Sequence, residues 1–232
     1  MQEKKPKSKT SFYVALSIIC GICTPYIYYT MWINSYAHEN APVGLKIPDY
    51  MDLWKTLVGA AVCQVVRLTT RFLSYPTFYK LSKEQKNEVL RVKYAEKACK
   101  KLYSVIYFST SAYWGWYVLK DNNLLPWWIG GMAGGDYKNV SLKTIFNHVD
   151  PAIYDYSLYT FGYHFGDFMQ HIFVDEYMTD FEEMLLHHIA AVALYFCYIF
   201  GNMLSIGAVI AYLHDIADIP GALCKLLNAT VY

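Results

Sequence analysis

Apolar positions along this chain gather into six runs parted by short polar segments: residues 12–33, 53–73, 102–119, 153–173, 184–201 and 204 to about 227, the last with Pro220 inside it. Each run has about 18 to 24 residues, enough for a helix to cross a hydrocarbon core of about 30 Å. The pattern predicts an all-α, polytopic transmembrane helix bundle. The second run is broken near its end by Arg67 and Arg71, whose long side chains are expected to reach out to the membrane interface. The third is rich in Tyr and Trp.

The polar segments set an orientation. Residues 1–9 and 80–101 are both basic, and two spans separate them, so they fall on one side, which the positive-inside rule makes the cytosol. Residues 121–150 then lie outside or in a lumen, and they carry the glycosylation sequon Asn139-Val140-Ser141. The acidic segment 175–183 returns to the cytosol; acidic residues barely influence topology. Residues 81–101 scatter Leu90, Val92, Tyr94 and Ala98 among charges, which predicts a helix lying on the cytosolic surface ahead of the third span. No small-x-small cleavage signal follows the first run, so it is read as a retained span.

Composition agrees. Of 232 residues 55% are hydrophobic, 18% aromatic and 17% charged, against about a quarter charged in a soluble domain. A net charge of +1 gives no support to a nucleic-acid partner. Cys20, Cys23, Cys63, Cys197 and Cys224 lie in apolar runs. Cys20-x-x-Cys23 has no second pair or adjacent His to complete a metal site, so these thiols read as small apolar filler.

Ionisable side chains inside a bilayer are costly, by roughly 2.5–3.5 kcal/mol each on insertion scales, so they are the candidates for chemistry. The fifth run opens with His187-His188, and the sixth carries His214, Asp215 and Asp218. If the two runs form an antiparallel hairpin turning between Met203 and Leu204, His188 stands level with Ile219 and His187 with Pro220. Asp218 then lies at the depth of the His pair, and it shares helix faces with His214 and Asp215. In the fourth run His164, Asp167 and His171 form one stripe, extended by Thr160. That stripe either orders helix packing or lines the same cavity.

A His within reach of an Asp is a general base near neutral pH, or a nucleophile that takes an acyl group itself. Three His and an Asp also suit zinc. Adjacent His187 and His188 point about 100° apart on a helix, however, so both cannot easily bind one ion, and no bound metal is expected. The repeated HxxHH boxes of diiron membrane enzymes are missing.

His187-His188, Asn202-Met203, Gly207, Leu213-His214-Asp215, Ala217-Asp218 and Lys225 together resemble the longevity-assurance motif of ceramide synthases, membrane enzymes with a TLC domain. Upstream, Lys100-Lys101 leading into an aromatic span, and residues 117–128 with Pro126-Trp127, are similar to the start of that domain. The likeness runs from about Arg91 to the end. It departs at Ser205, where ceramide synthases usually have Arg, at Ala222, where an acidic residue is common, and at Pro220-Gly221, where they have bulky apolar residues. These departures bear on substrate preference and on activity itself.

The resemblance implies a basic cytosolic N-terminus (1–11), two transmembrane helices outside the TLC core (12–79), a basic cytosolic loop (80–101) and a TLC-like domain (102–232) that is partial, since the family's domain continues for further helices. It implies sphingosine N-acyltransferase activity in the endoplasmic reticulum membrane, moving a fatty acyl group from acyl-CoA to the amine of a long-chain base. No cofactor is bound; acyl-CoA is the co-substrate. His187, His188, His214, Asp215 and Asp218 are the expected catalytic set, and His164, Asp167 and His171 the expected cavity lining. One of His187 and His188 would act as base or nucleophile, oriented by Asp215 or Asp218. Partners are acyl-CoA, the long-chain base and membrane lipid; whether the chain forms a homodimer is left open. The competing readings are a non-catalytic TLC-type protein that binds lipid or assists membrane insertion, and a zinc-dependent membrane amide hydrolase.

Overall fold

The computed structural model describes residues 9–82, 87–122, 124–129, 131, 150–174 and 181–230, except for the side chains of 9–11 and 230. Among the described residues every regular element is a helix. They are α1 (Lys9–Asn40), α2 (Leu53–Leu81), α3 (Glu88–Asp121), α4 (Pro151–Phe173), α5 (Phe181–Phe200) and α6 (Leu204–Thr230), with single 3₁₀ turns at Tyr50–Asp52 and Trp127–Ile129. One helix thus stands at each expected span. The basic residues 1–8, the sequon Asn139-Val140-Ser141 and residues 175–180 of the acidic segment lie outside the described residues.

Helices α1, α2, α5 and α6 are long and apolar enough to cross a membrane. Helices α3 and α4 carry more polar side chains: α3 is rich in Tyr, Ser and Lys, and α4 in Tyr, with His and Asp added. Their position explains this, because α4 is the central helix, in contact with α2, α3, α5 and α6, while α3 packs most extensively on α6. Apolar side chains on α1 and α2 such as Tyr26, Trp32, Leu68 and Phe72 point outward, as lipid-facing surface requires.

Local chemistry fixes the helix ends. The Asp150 carboxylate accepts from the Ala152 and Ile153 amides, and Pro151 occupies the first helical position, where no amide hydrogen is needed. Asn87 caps α3 by accepting from Val89 N–H. Helix α5 closes with a left-handed Asn202 (φ 54°), the Asn202 amide donating to Ile199 O and the Met203 amide to Tyr198 O. This is a Schellman ending, and Asn tolerates the left-handed conformation better than other non-glycine residues. The α5–α6 hairpin therefore turns at residues 201–203, just before the expected point between Met203 and Leu204.

The stretch expected to form a separate surface helix does not. Residues 88–121 make one uninterrupted helix of 34 residues, about 50 Å long. Nothing between Glu88 and Leu102 breaks helical geometry, so the charged part continues the axis of the span instead of turning along the surface. Arg71 grips the Glu96 carboxylate through Nε and Nη2, and Arg91 lies 3.8 Å over the Tyr79 ring while donating to Tyr79 O. These contacts bind the extension to the end of α2.

Helices α2 and α4 approach closely. A Cβ on Gly162 would fall 2.6 Å from Thr56 O and 2.9 Å from Ala60 N, Gly166 faces Ala60, and Gly59 rests on the Tyr159 backbone. Small residues four apart let two membrane helices pack backbone to backbone. Gly162→Leu is expected to destabilise the chain by about 1–3 kcal/mol through overpacking, read as a lower melting temperature in detergent. An unchanged melting temperature would show that the two helices are not held at this distance.

Buried apolar side chains form two clusters. The larger centres on Leu119, Tyr156, Phe161, Tyr195, Ile199, Phe200 and Tyr212; the smaller joins Cys63, Tyr103, Tyr107, Phe108, Tyr163 and Ala222. Tyr107 and Tyr163 stack at 3.4 Å between ring centroids. The polar residues of α4 emerge beside the seam between these clusters, where His164 touches both Tyr163 and Tyr195.

Candidate functional site

Helices α4, α5 and α6 bring all eight expected residues into a chain of contacts. The His187 ring lies parallel to that of His214, 6.3 Å between centroids and 16° between planes. His214 Nδ1 faces Asp218 Oδ2 at 3.4 Å, one helical turn away, and Asp215 Oδ1 at 3.8 Å. His164 on α4 meets His214 edge to face at 6.0 Å. This is the first half of the site.

The second half surrounds His188. Its Nε2 stands 3.6 Å from Asp167 Oδ2, and its ring 5.2 Å from that of His171. Asp167 Oδ1 accepts from Arg67 Nη1 at 3.0 Å. His171 Nε2 lies 3.0 Å from Phe181 O and ties the end of α4 to the start of α5. The His187–His188 pair, with rings 5.7 Å apart, joins the two halves.

The halves differ in access. His164, His171, His188 and Asp215 are buried, whereas His187 and His214 are exposed and Asp218 is half-exposed. Adjacent positions on one helix face different surroundings, and here one His looks into α4 while the next looks toward α6.

Two expectations change. Arg67 does not reach out to the interface: only 12% of its side chain is exposed, against 19% for Asp167, and the two form a partly buried ion pair. The carboxylate beside His188 is Asp167 of the neighbouring helix, while Asp215 and Asp218 both face His214.

Sequence reasoning also missed Ser111. Its hydroxyl donates to Asp215 Oδ2 at 2.6 Å from α3, and a serine in an aromatic span gives no sign of such a role. Arg67 did carry a signal, since an arginine inside a span is a functional candidate by default. Three buried atoms of the site have no hydrogen-bond partner among the described residues: His164 Nε2, His188 Nδ1 and Asp215 Oδ1. A ring nitrogen of His164, a ring nitrogen of His214 and a carboxylate oxygen of Asp215 all lie within 4.8 Å of one another.

Just before the third span sits Lys101. Burial holds its ammonium below the ordinary lysine range, and Lys225 and Lys100 add to the effect. Lys100 and Lys101, partway along α3, and Lys225, near the end of α6, thus bring their positive charges together.

This arrangement of His and Asp on three packed helices has a counterpart among known proteins. The model of the TLC domain matches residues 97–232, more than half of the chain. The chain belongs to the TLC-domain family. Within that stretch lie all eight expected site residues, whereas Arg67 lies outside it. Ceramide synthase 4 of Homo sapiens is 28% identical over 142 residues, which cover 61% of this chain and 34% of that protein. The chain therefore spans about a third of the length of this curated relative. No solved structure matches. The TLC domain here is the α-helical membrane bundle that the hydropathy pattern predicts.

Proposed function

We propose that this TLC-domain chain takes part in ceramide synthase-like N-acyl transfer, moving a fatty acyl group from acyl-CoA to the amine of a long-chain base in the endoplasmic reticulum membrane. The observation that carries the reading is the meeting of an accessible His187 with a His214 held between Asp215 and Asp218. Such a group suits proton transfer at neutral pH, with the carboxylates stabilising the imidazolium. Long-chain substrates partition into the membrane where the site lies. The anionic phosphates of CoA suit the positive charge around Lys101 and Lys225.

In the covalent route an imidazole nitrogen of His187 attacks the thioester carbon. The C–S bond breaks and CoA leaves as the thiolate. The amine then attacks the acyl-imidazole carbon, the amide C–N bond forms as the bond to His187 breaks, and the amine proton passes through His214 to the thiolate. In the direct route the amine attacks the thioester carbon while His187 takes its proton as a base; the C–S bond breaks, CoA leaves as the thiolate, and the proton passes from His187 through His214 to that thiolate. Both routes need the same two histidines.

Incubating the purified chain with acyl-CoA and sphinganine tests this reading. Ceramide detected by mass spectrometry is the expected result. An acyl adduct on His187 in the absence of amine marks the covalent route. No ceramide and no adduct, from protein that elutes as a single species, would overturn the reading and favour a TLC-domain protein whose histidines and aspartates only join helices.

A further inference from the structure

We infer that His164, His214 and Asp215 form a site for one divalent transition-metal ion of the zinc class, next to His187. The sequence argues against a metal only through the divergence of His187 and His188, and neither belongs to this trio. Its members come from two helices, α4 and α6, and each offers one ligand atom within 4.8 Å of the others. Around a tetrahedral zinc with bonds of about 2.0–2.1 Å, ligand atoms stand about 3.3 Å apart. Small side-chain rotations close that gap, and Asp215 Oδ1 is already 3.8 Å from His214 Nδ1.

Burial supplies the second observation. His164 is 5% exposed and its Nε2 has no hydrogen-bond partner among the described residues; Asp215 is 0% exposed and its Oδ1 has none either, with the His214 ring nitrogen standing off at 3.8 Å. A buried carboxylate oxygen and a buried imidazole nitrogen without partners each cost free energy. One cation placed between them satisfies both. The surroundings are also those of a metal ligand, because Asp215 Oδ2 accepts from Ser111 Oγ at 2.6 Å and so holds the carboxylate in orientation.

Two His and one carboxylate are a donor set that zinc accepts, and three protein ligands leave one tetrahedral position open. The metal site rests on burial and ligand geometry alone, and it stands as an alternative to the proton relay through His214, which a metal-bound imidazole cannot serve.

The test is metal content, not activity. The purified chain is stripped with chelator, equilibrated with zinc chloride, desalted and assayed by inductively coupled plasma mass spectrometry. The expected result is about one zinc per chain, as three convergent protein ligands predict. His164→Ala and Asp215→Asn should remove it, and Ser111→Ala should weaken zinc affinity about 10–100-fold while the protein stays folded. Chelator should lower the melting temperature of the parent chain but not of Asp215→Asn. Background zinc in the parent chain, or equal zinc in parent and His164→Ala, would overturn the inference and leave a network of protons only. Zinc binding without ceramide formation would remove the acyl-transfer reading and keep the metal site.

Discussion

Replacing His187 with alanine is expected to lower acyl transfer from acyl-CoA to sphinganine about 10³-fold or more, with the melting temperature near that of the parent chain. The separation of these effects follows from exposure. His187 is exposed, so truncating it removes a reactive group and little packing. Its neighbour gives the opposite result. His188 is 5% exposed between Asp167 and His171, and His188→Ala should cost about 1–3 kcal/mol of stability through the cavity it leaves. Ceramide formation by mass spectrometry and thermal unfolding in the same detergent check both. If His187→Ala keeps full activity, the reactive group is not on this face of α5.

Asp167→Ala should be the most destabilising single change, by about 3–5 kcal/mol. It leaves the Arg67 guanidinium, 12% exposed, without its 3.0 Å partner, and it removes the carboxylate beside His188. The double variant Arg67→Leu/Asp167→Leu should recover most of that loss, because removing both charges abolishes the desolvation cost together with the attraction. Unfolding midpoints of the parent, single and double variants measure the coupling. A double variant no more stable than Asp167→Ala would mean that the pair does not hold α2 to α4.

The helices of this chain were legible because bilayer-length apolar runs have a physical minimum and little else in a sequence imitates them. All six runs became helices. The charged segment before the third span was misread for a definable reason. Charge marks contact with water, and it says nothing about whether a helix lies along a surface or continues beyond it. Only the absence of a helix breaker between Glu88 and Lys101 carried that information.

At the site, short-range relations read well and long-range ones did not. His214 and Asp218, four residues apart, share a face by helical geometry alone. Equal distance from the α5–α6 turn puts His187 level with Pro220, whereas the structure stacks its ring on that of His214, nearer the turn. The same counting cannot find the partner of His188. That partner, Asp167, comes from α4, against which α5 packs more extensively than against α6. Arg67 and Asp167 lie 100 residues apart, and Ser111 and Asp215 lie 104 apart. No local pattern links such pairs; the first meets because α4 packs on α2, the second because α3 packs on α6.

The central position of α4 has a consequence for how the molecule can be divided. The family match starts at residue 97, partway along α3, yet the counter-charge of Asp167 and the glycine-lined seat of α4 both lie on α2. A polypeptide trimmed to the family signature would amputate the first turns of one helix and strip a wall from another. The heritable module and the mechanical one therefore have different edges, and any swap between relatives should carry α2 along.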